Sequence, residues 1–461
     1  MSNAFSRPAR AVFLEGSILR HVLVMTASGA VGLIAIFFVD LLTLLYISRL
    51  GNANMTAGIG LASQISFLFI SVHIGFSIAV TALVSQFLGR GNRLEAERIA
   101  TATVLIVAVV IGALSLVATP FSRQMAALIG AKGQTLEHAT LFLQITLPSN
   151  GFLAVGMAMS GVLRANGDAA RSMYVTLAGA IVIAIMDPIF IIALRWDVTG
   201  AGLSTFVSRM AIAVVGLWGV TRVHHMLRRV GRRTIIRCLA MLIRIAIPAM
   251  VTNLAAPVAN IYTLGVYAKF GDPILAGFAI FDRIIPIAYA VLFAMSGAVG
   301  PIVGQNYGAR RFDRVASTLN NCYALALVYG SAVWFILWLG APWIVQVFQA
   351  RGATAEFIVF FCKFGAAGWI FLGCLFAANS VFNNLGFPIL ATLFNWGRAT
   401  LGVIPFVSLG AYWGGAHGAL LGVAAGGALF GIAAVIVSYR VTARLARSAL
   451  GAIEAGEQAQ P

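Results

Sequence analysis

The chain has 461 residues, 60% of them hydrophobic and only 10% charged, with a mean hydropathy of +0.94. Soluble domains carry about 25% charged residues, so this composition cannot cover a water-facing surface and excludes a soluble enzyme or binding module. The net charge of +17, from 31 Lys+Arg against 14 Asp+Glu, sits in short loops between apolar runs, which points to membrane topology and not to nucleic acid.

Residues 1–17 are polar and basic, with Arg7, Arg10 and Glu15, and no cleavage signature follows the first apolar run. That run is expected to remain as a helix. Hydropathy and punctuation then predict an all-α membrane protein with twelve transmembrane helices. They lie near 22–48, 55–87, 99–119, 138–163, 172–194, 200–220, 241–268, 274–304, 315–340, 353–382, 388–409 and 416–439. The final GAIEAGEQAQP is small and polar and is expected to be disordered. Cys238, Cys322, Cys362 and Cys374 show no paired spacing and read as free buried thiols. Neither HExxH nor GxxxxGK[ST] occurs, so no metal centre or bound ATP is expected.

One set of loops is arginine-rich: Arg90, Arg93 and Arg98; Arg164 and Arg171; Arg310, Arg311 and Arg314. The segment 221–237 belongs to that set, as do the two termini, with Arg440, Arg444 and Arg447 at the second of them. The alternate loops carry only Arg49, Arg123, Lys132, Arg195, Lys269 and Arg351. Both termini are therefore expected in the cytoplasm of a cell with a bacterial-type plasma (inner) membrane.

The basic segment also divides two repeats. SIAVTALVSQFLGRGNRLEAERI aligns with SGAVGPIVGQNYGARRFDRVAST, which places Gln86 on Gln305 and Gly89 on Gly308, 219 residues apart. The same offset places Gly167 on Gly386. The predicted layout is a tail 1–17, a first lobe 18–220, a linker 221–240, a second lobe 241–440 and a tail 441–461. Parallel repeats of this kind bind their substrate at the interface and rock around it.

Buried charge marks the chemistry. Asp40 lies in an apolar run with eight uncharged residues on either side, and a carboxylate there is functional by default. Its counterpart in the second repeat is Asn260, and Thr43 matches Thr263. Asp187 lies in the fifth span, before Pro188. Counting back from Arg49 and Arg195 at 1.5 Å per residue puts both acids about 12–14 Å below one membrane boundary. Two carboxylates so placed resist being ionised together and can share a proton. Pro188 frees a carbonyl one turn back, which permits a bend beside Asp187. In the second lobe, Asp282 and Lys363 suggest a structural ion pair, with a second cation site as the alternative. His73, alone on an apolar helix, reads as a packed core residue.

VDLLTLLYISRLG, LRANGD, MDPIFI and GPIVGQNYGARRFDRV, in this order and over residues 15–440, resemble the multidrug and toxic compound extrusion (MATE) family, nearest its proton-coupled DinF-like branch. The resemblance implies a MATE-like fold of two six-helix lobes and a monomer that is no enzyme. It also implies secondary active export of amphipathic or cationic small molecules across the bilayer, in exchange for protons. Coupling would use Asp40 and Asp187, with Thr205 as a neighbouring hydroxyl and Thr43 and Asn260 in support. No cofactor beyond the ion gradient is implied. Sodium coupling and flipping of lipid-linked or other lipid substrates are the alternatives within the superfamily. The chain departs from the family pattern at Ile183, where Asn is common, and over Met25–Gly29, which lacks the first-helix proline.

Overall fold

Apolar segments in a bilayer must satisfy every backbone N–H and C=O internally, which leaves helices as the solution for this sequence. A computed structural model of the protein describes residues 11–49 and 52–458. Arg7 and Arg10 of the basic tail, Leu50, Gly51 and residues 459–461 lie outside the described residues.

The first lobe holds α1 (Ile18–Arg49), α2 (Ala53–Gly89), α3 (Arg93–Ala118), a bent α4, α5 (Ala169–Asp187) and α6 (Asp197–Trp218). The second holds α7 (Arg232–Ala268), a bent α8, α9 (Phe312–Val347), a bent α10, and α11 and α12 over 388–413 and 416–458. The bent spans are Gly133–Thr146 with Asn150–Ala165, Asp272–Ala288 with Ala290–Gly308, and Gly352–Gly365 with Gly368–Asn384. Between α11 and α12 the chain reverses at Gly414 and at Gly415, whose φ of +57° only glycine adopts freely. The two helices then pack antiparallel, with a Cβ on Gly410 due to meet the Gly418 carbonyl and one on Gly426 due to meet that of Gly402. Among the described residues this makes twelve apolar spans.

Two expectations change here. α12 continues through Gln458, so most of the C-terminal segment expected to be disordered is helical, in keeping with its Ala and Glu content. The linker is also shorter than 221–240, because α7 already begins at Arg232.

The bends are braced rather than loose. α4 breaks by 53° around Pro148. Buried Arg209 of α6 donates there to Thr146 O (2.6 Å), Ser149 Oγ (3.0 Å) and Asn150 Oδ1 (2.8 Å). His73 adds contacts from its ring nitrogens to the Asn150 and Phe69 carbonyls, so it is a packed core residue. The equivalent break in α10 is 52°, and there the Tyr289 hydroxyl donates to Ala366 O at 2.8 Å.

The lobes meet at the arginine-rich end and part towards the other. Phe13, Ile18, Val22 and Met25 share one core with the second lobe. Farther along α1, Ala30 and Leu33 still touch Ala290 and Ala294. Beyond that, Ile47, Met55, Ile59, Leu143 and Ile191 pack only within the first lobe. The polar contacts between lobes concentrate at the basic end and follow the repeat. Gln86 Nε2 donates to Asn384 O at 2.8 Å, and Gln305 Nε2 donates to Ala165 O at 2.7 Å. The two donors are 219 residues apart, and so are the two acceptors, so the two bonds are copies of one another about the axis between lobes.

The start of the chain closes this end further. Phe13, 1% exposed, donates its N–H to Gln305 Oε1 at 2.9 Å, while Arg314 donates to the carbonyls of Phe13 (2.9 Å), Glu15 (3.2 Å) and Gly16 (3.1 Å). Composition alone had made this segment a tail. It is a plug.

Candidate functional site

α5 is regular up to Asp187. Pro188 has no N–H to continue it, and the helix widens to a π turn over Pro188–Ala193, closed by Leu194 N–H to Ile189 O at 2.9 Å. The widening leaves Asp187 at the inner edge of α5, 1% exposed. Thr43 Oγ1 of α1 donates to Asp187 Oδ2. The Ser204 hydroxyl of α6, fully buried and without another partner, lies beside the same carboxylate, whose Oδ1 has no donor. Three helices thus converge on one buried acid.

Asp40 lies three residues before Thr43, hence on the same side of α1. Its side chain is exposed, yet within electrostatic reach of Asp187. One acid is exposed and the other buried, and Thr43, one turn beyond Asp40 on α1, bonds the buried one.

The other expected residues fall differently. Thr205 donates to Ala201 O of its own helix at 3.0 Å, and its neighbour Ser204 is the α6 hydroxyl beside Asp187. Asn260 is exposed, and Thr263 donates to Ala259 O of its own helix, so the second lobe has no copy of the acid site. The expected Asp282–Lys363 ion pair does not form among the described residues. Both side chains are exposed, and no hydrogen bond or ion pair joins them.

A second cluster lies nearer the basic end. A cavity of about 220 Å³ between the lobes is lined by α1, α2, α4, α5 and α8, including Ser77, Arg164, Ser172 and Ser296. Beyond it lies a smaller pocket shared by Thr81, Arg164, Gly300, Ser380, Asn383 and Asn384. Arg164 reaches Ser160 Oγ at 3.0 Å, Ser172 Oγ at 3.4 Å and Ser77 Oγ at 3.1 Å. The sequence counted it only as a topology marker. The signal that distinguishes it is its place in LRANGD, inside the span and not after it.

Asp168 follows in the turn between α4 and α5. It caps α5 by accepting from Arg171 N–H at 3.0 Å, and its Oδ2 also meets Arg171 Nη1 (2.5 Å) and His224 Nε2 (2.7 Å) in the segment after α6. Burial alone would raise the Asp168 carboxyl, but the bonds from His224 and Arg171 outweigh it and hold the group well below the usual carboxylate range. A carboxyl lowered on folding stabilises above its unfolded value of about 4 and loses that contribution as pH falls through the folded one. Asp168→Asn is therefore expected to cost about 1–2 kcal/mol at neutral pH. Melting curves of the two proteins should converge below about pH 4; a gap independent of pH would contradict the charge-based account.

Comparison with known proteins matches the fold and its repeat. The MatE family profile matches residues 30–189 and again 248–407, two passes within one residue of the spacing of the repeat. A protein of Shewanella oneidensis named "FAD transporter" is 25% identical over 441 residues, covering 93% of this chain and 96% of that protein. The multidrug export protein MepA of Staphylococcus haemolyticus is 23% identical, covering 80% and 83%. The Vibrio cholerae MATE transporter VcmN, in its bent form, superposes with a TM-score of 0.86 at 21% identity, covering 94% and 97%. With two thirds of its length matched by the profile in both halves, the chain belongs to the MatE (MATE) family of multi-pass membrane transporters.

Proposed function

We propose that the protein is a proton-coupled exporter of amphipathic organic solutes, with Asp187 and Asp40 as its coupling site. The observation that carries this reading is the buried Asp187 carboxylate held by Thr43 of α1. While ionised, Asp187 accepts from Thr43 and ties α1 to α5. A proton delivered past Asp40 neutralises it, and a neutral carboxyl is a weaker acceptor that also needs an acceptor of its own. The tie loosens, and α1 can shift. Because Gly29 of α1 lies directly on Ala294 of α8, such a shift reaches the other lobe. No proline in α1 is required.

The arginine-rich end faces the cytoplasm by the positive-inside rule, so the cleft in this state opens to the outside of a bacterial-type inner membrane. Residues 18–220 and 241–440 move against each other about the linker. The names of the Shewanella and staphylococcal relatives support small, amphipathic organic cargo.

The test is transport in proteoliposomes under proton and sodium gradients imposed separately, with ethidium as a cationic probe and riboflavin 5′-phosphate as an anionic one. The proton gradient alone should drive at least one probe, and Asp40→Asn should reduce that flux by about tenfold or more, a loss of about 1.4 kcal/mol. Undiminished proton-driven flux in Asp40→Asn would remove Asp40 from the mechanism.

A further inference from the structure

Part of the cavity between the lobes is built from residues that the repeat makes equivalent. Ser77 and Ser296 line it from opposite lobes, as do Ile78 and Gly297; in the smaller pocket the pairs are Thr81 with Gly300 and Arg164 with Asn383. Members of every pair are 219 residues apart. Within these pairs one charge stands unmatched: Arg164 is charged and Asn383 is not. No Asp or Glu lines either cavity.

Arg164 has no counter-ion within ion-pair distance among the described residues. Its partners are three serine hydroxyls, and its buried Nε has none. The nearest acid along the chain, Asp168, is already engaged by Arg171 and His224. A guanidinium facing an apolar slab with only neutral acceptors bears a desolvation cost of several kcal/mol that hydroxyls do not repay. A brace between α2, α4 and α5 would need no charge at all. Arg164 lines both cavities, and the serines leave one N–H of its Nη2 without a partner, so its fork keeps a donor for an oxyanion.

The remaining lining suits the rest of such a ligand. Ser28, Thr176 and Ser296 offer further hydroxyls, while Met25, Met157, Met173 and Phe293 form soft apolar walls. On the α8 side a Cβ at Gly297 would meet nothing within 4 Å, so there is room beside Arg164.

We propose that Arg164 is an anion subsite at the cleft floor that holds the phosphate or carboxylate of an amphipathic organic anion. This rests on the reading of the cleft as the transport path, but not on proton coupling. The oxyanion can belong to a soluble solute or to a lipid headgroup.

The experiment is equilibrium binding, without any gradient, of riboflavin 5′-phosphate and riboflavin to the full chain in phosphatidylcholine nanodiscs. Wild type should prefer the phosphate ester by about tenfold, the scale of one charge-assisted contact. Arg164→Gln should bind both alike, and Arg164→Lys should keep part of the preference. Ser296→Asp supplies a carboxylate from the opposite wall while leaving the serines around Arg164 in place, and it should also abolish the preference. That variant carries the test if Arg164→Gln does not fold. Equal binding of the two flavins by wild type, or an intact preference in Ser296→Asp, overturns the proposal. If phosphatidylglycerol in the discs competes the preference away, the subsite stands and a lipid headgroup is its ligand. Asp40→Asn should keep the binding preference, so failure of the coupling site and failure of the anion subsite give different results.

Discussion

Replacing Gly89 with alanine is expected to reduce transport by about tenfold or more and to spread the basic ends of the lobes by several ångströms. A Cβ at Gly89 would lie 2.0 Å from the carbonyl oxygen of Gln305 and 2.7 Å from its Cα. The obstacle is backbone, buried and hydrogen-bonded, so no rotamer change relieves it. The repeat doubles the constraint, since a Cβ at Gly308 would lie 2.2 Å from the Gln86 carbonyl oxygen. α2 and α8 must separate, and the paired Gln86–Asn384 and Gln305–Ala165 bonds are lost with that separation. Overpacking of a rigid contact costs about 3 kcal/mol or more, enough to reverse an equilibrium between two lobe arrangements. Spin labels at the exposed Arg90 and Arg310 positions report the distance. Gly112 is the control, because nothing lies within 4 Å of a Cβ there, and its alanine variant should be near neutral. Unchanged label distances and flux in Gly89→Ala would show that this crossing does not close the basic end.

The second large effect is expected at Asp187. Asparagine keeps an oxygen for Thr43 but cannot exchange a proton. Each proton entering down 100 mV is worth about 2.3 kcal/mol, a concentration ratio of about fifty for a neutral cargo exchanged one for one. Asp187→Asn should abolish that accumulation while exchange of labelled for unlabelled cargo, without a gradient, continues within about threefold. Asp187→Leu should fail in both assays, because half-buried Thr43 and buried Ser204 would be left unpaired. Gradient-driven accumulation by Asp187→Asn would assign coupling to another group.

Much of this was legible in the sequence, for identifiable reasons. The spans were, because lipid demands long apolar helices and arginines punctuate them. The repeat was, because Gln86 and Gly89 recur with Gln305 and Gly308, and the structure shows why: each pair contacts the backbone of its counterpart. What could not be read was rotation about helix axes. Ser204 and Thr205 differ by about 100° around α6, and the choice between them is made by packing. A Cβ on Gly200 or Gly202 would strike Phe190 or Ile145, so those glycines set how α6 lies on its neighbours. The same limit hid Arg164, which sequence placed in a loop and the fold turns into a cavity. It also suggested a pair, Asp282 with Lys363, whose members are on open surfaces. The Phe13 plug was missed because its partners, Gln305 and Arg314, are some three hundred residues away.

The crossing of α2 and α8 sits at one extremity of a long arm. From Gly89 to Ala53, α2 spans about 54 Å at 1.5 Å per residue. A rotation of about 10° at that fulcrum sweeps the far end of the helix through about 9 Å, for a rigid rod of that length. Gearing of this kind lets events of hydrogen-bond size, such as the release of one threonine or the slip of one glutamine, open or shut an aperture as wide as the cargo itself.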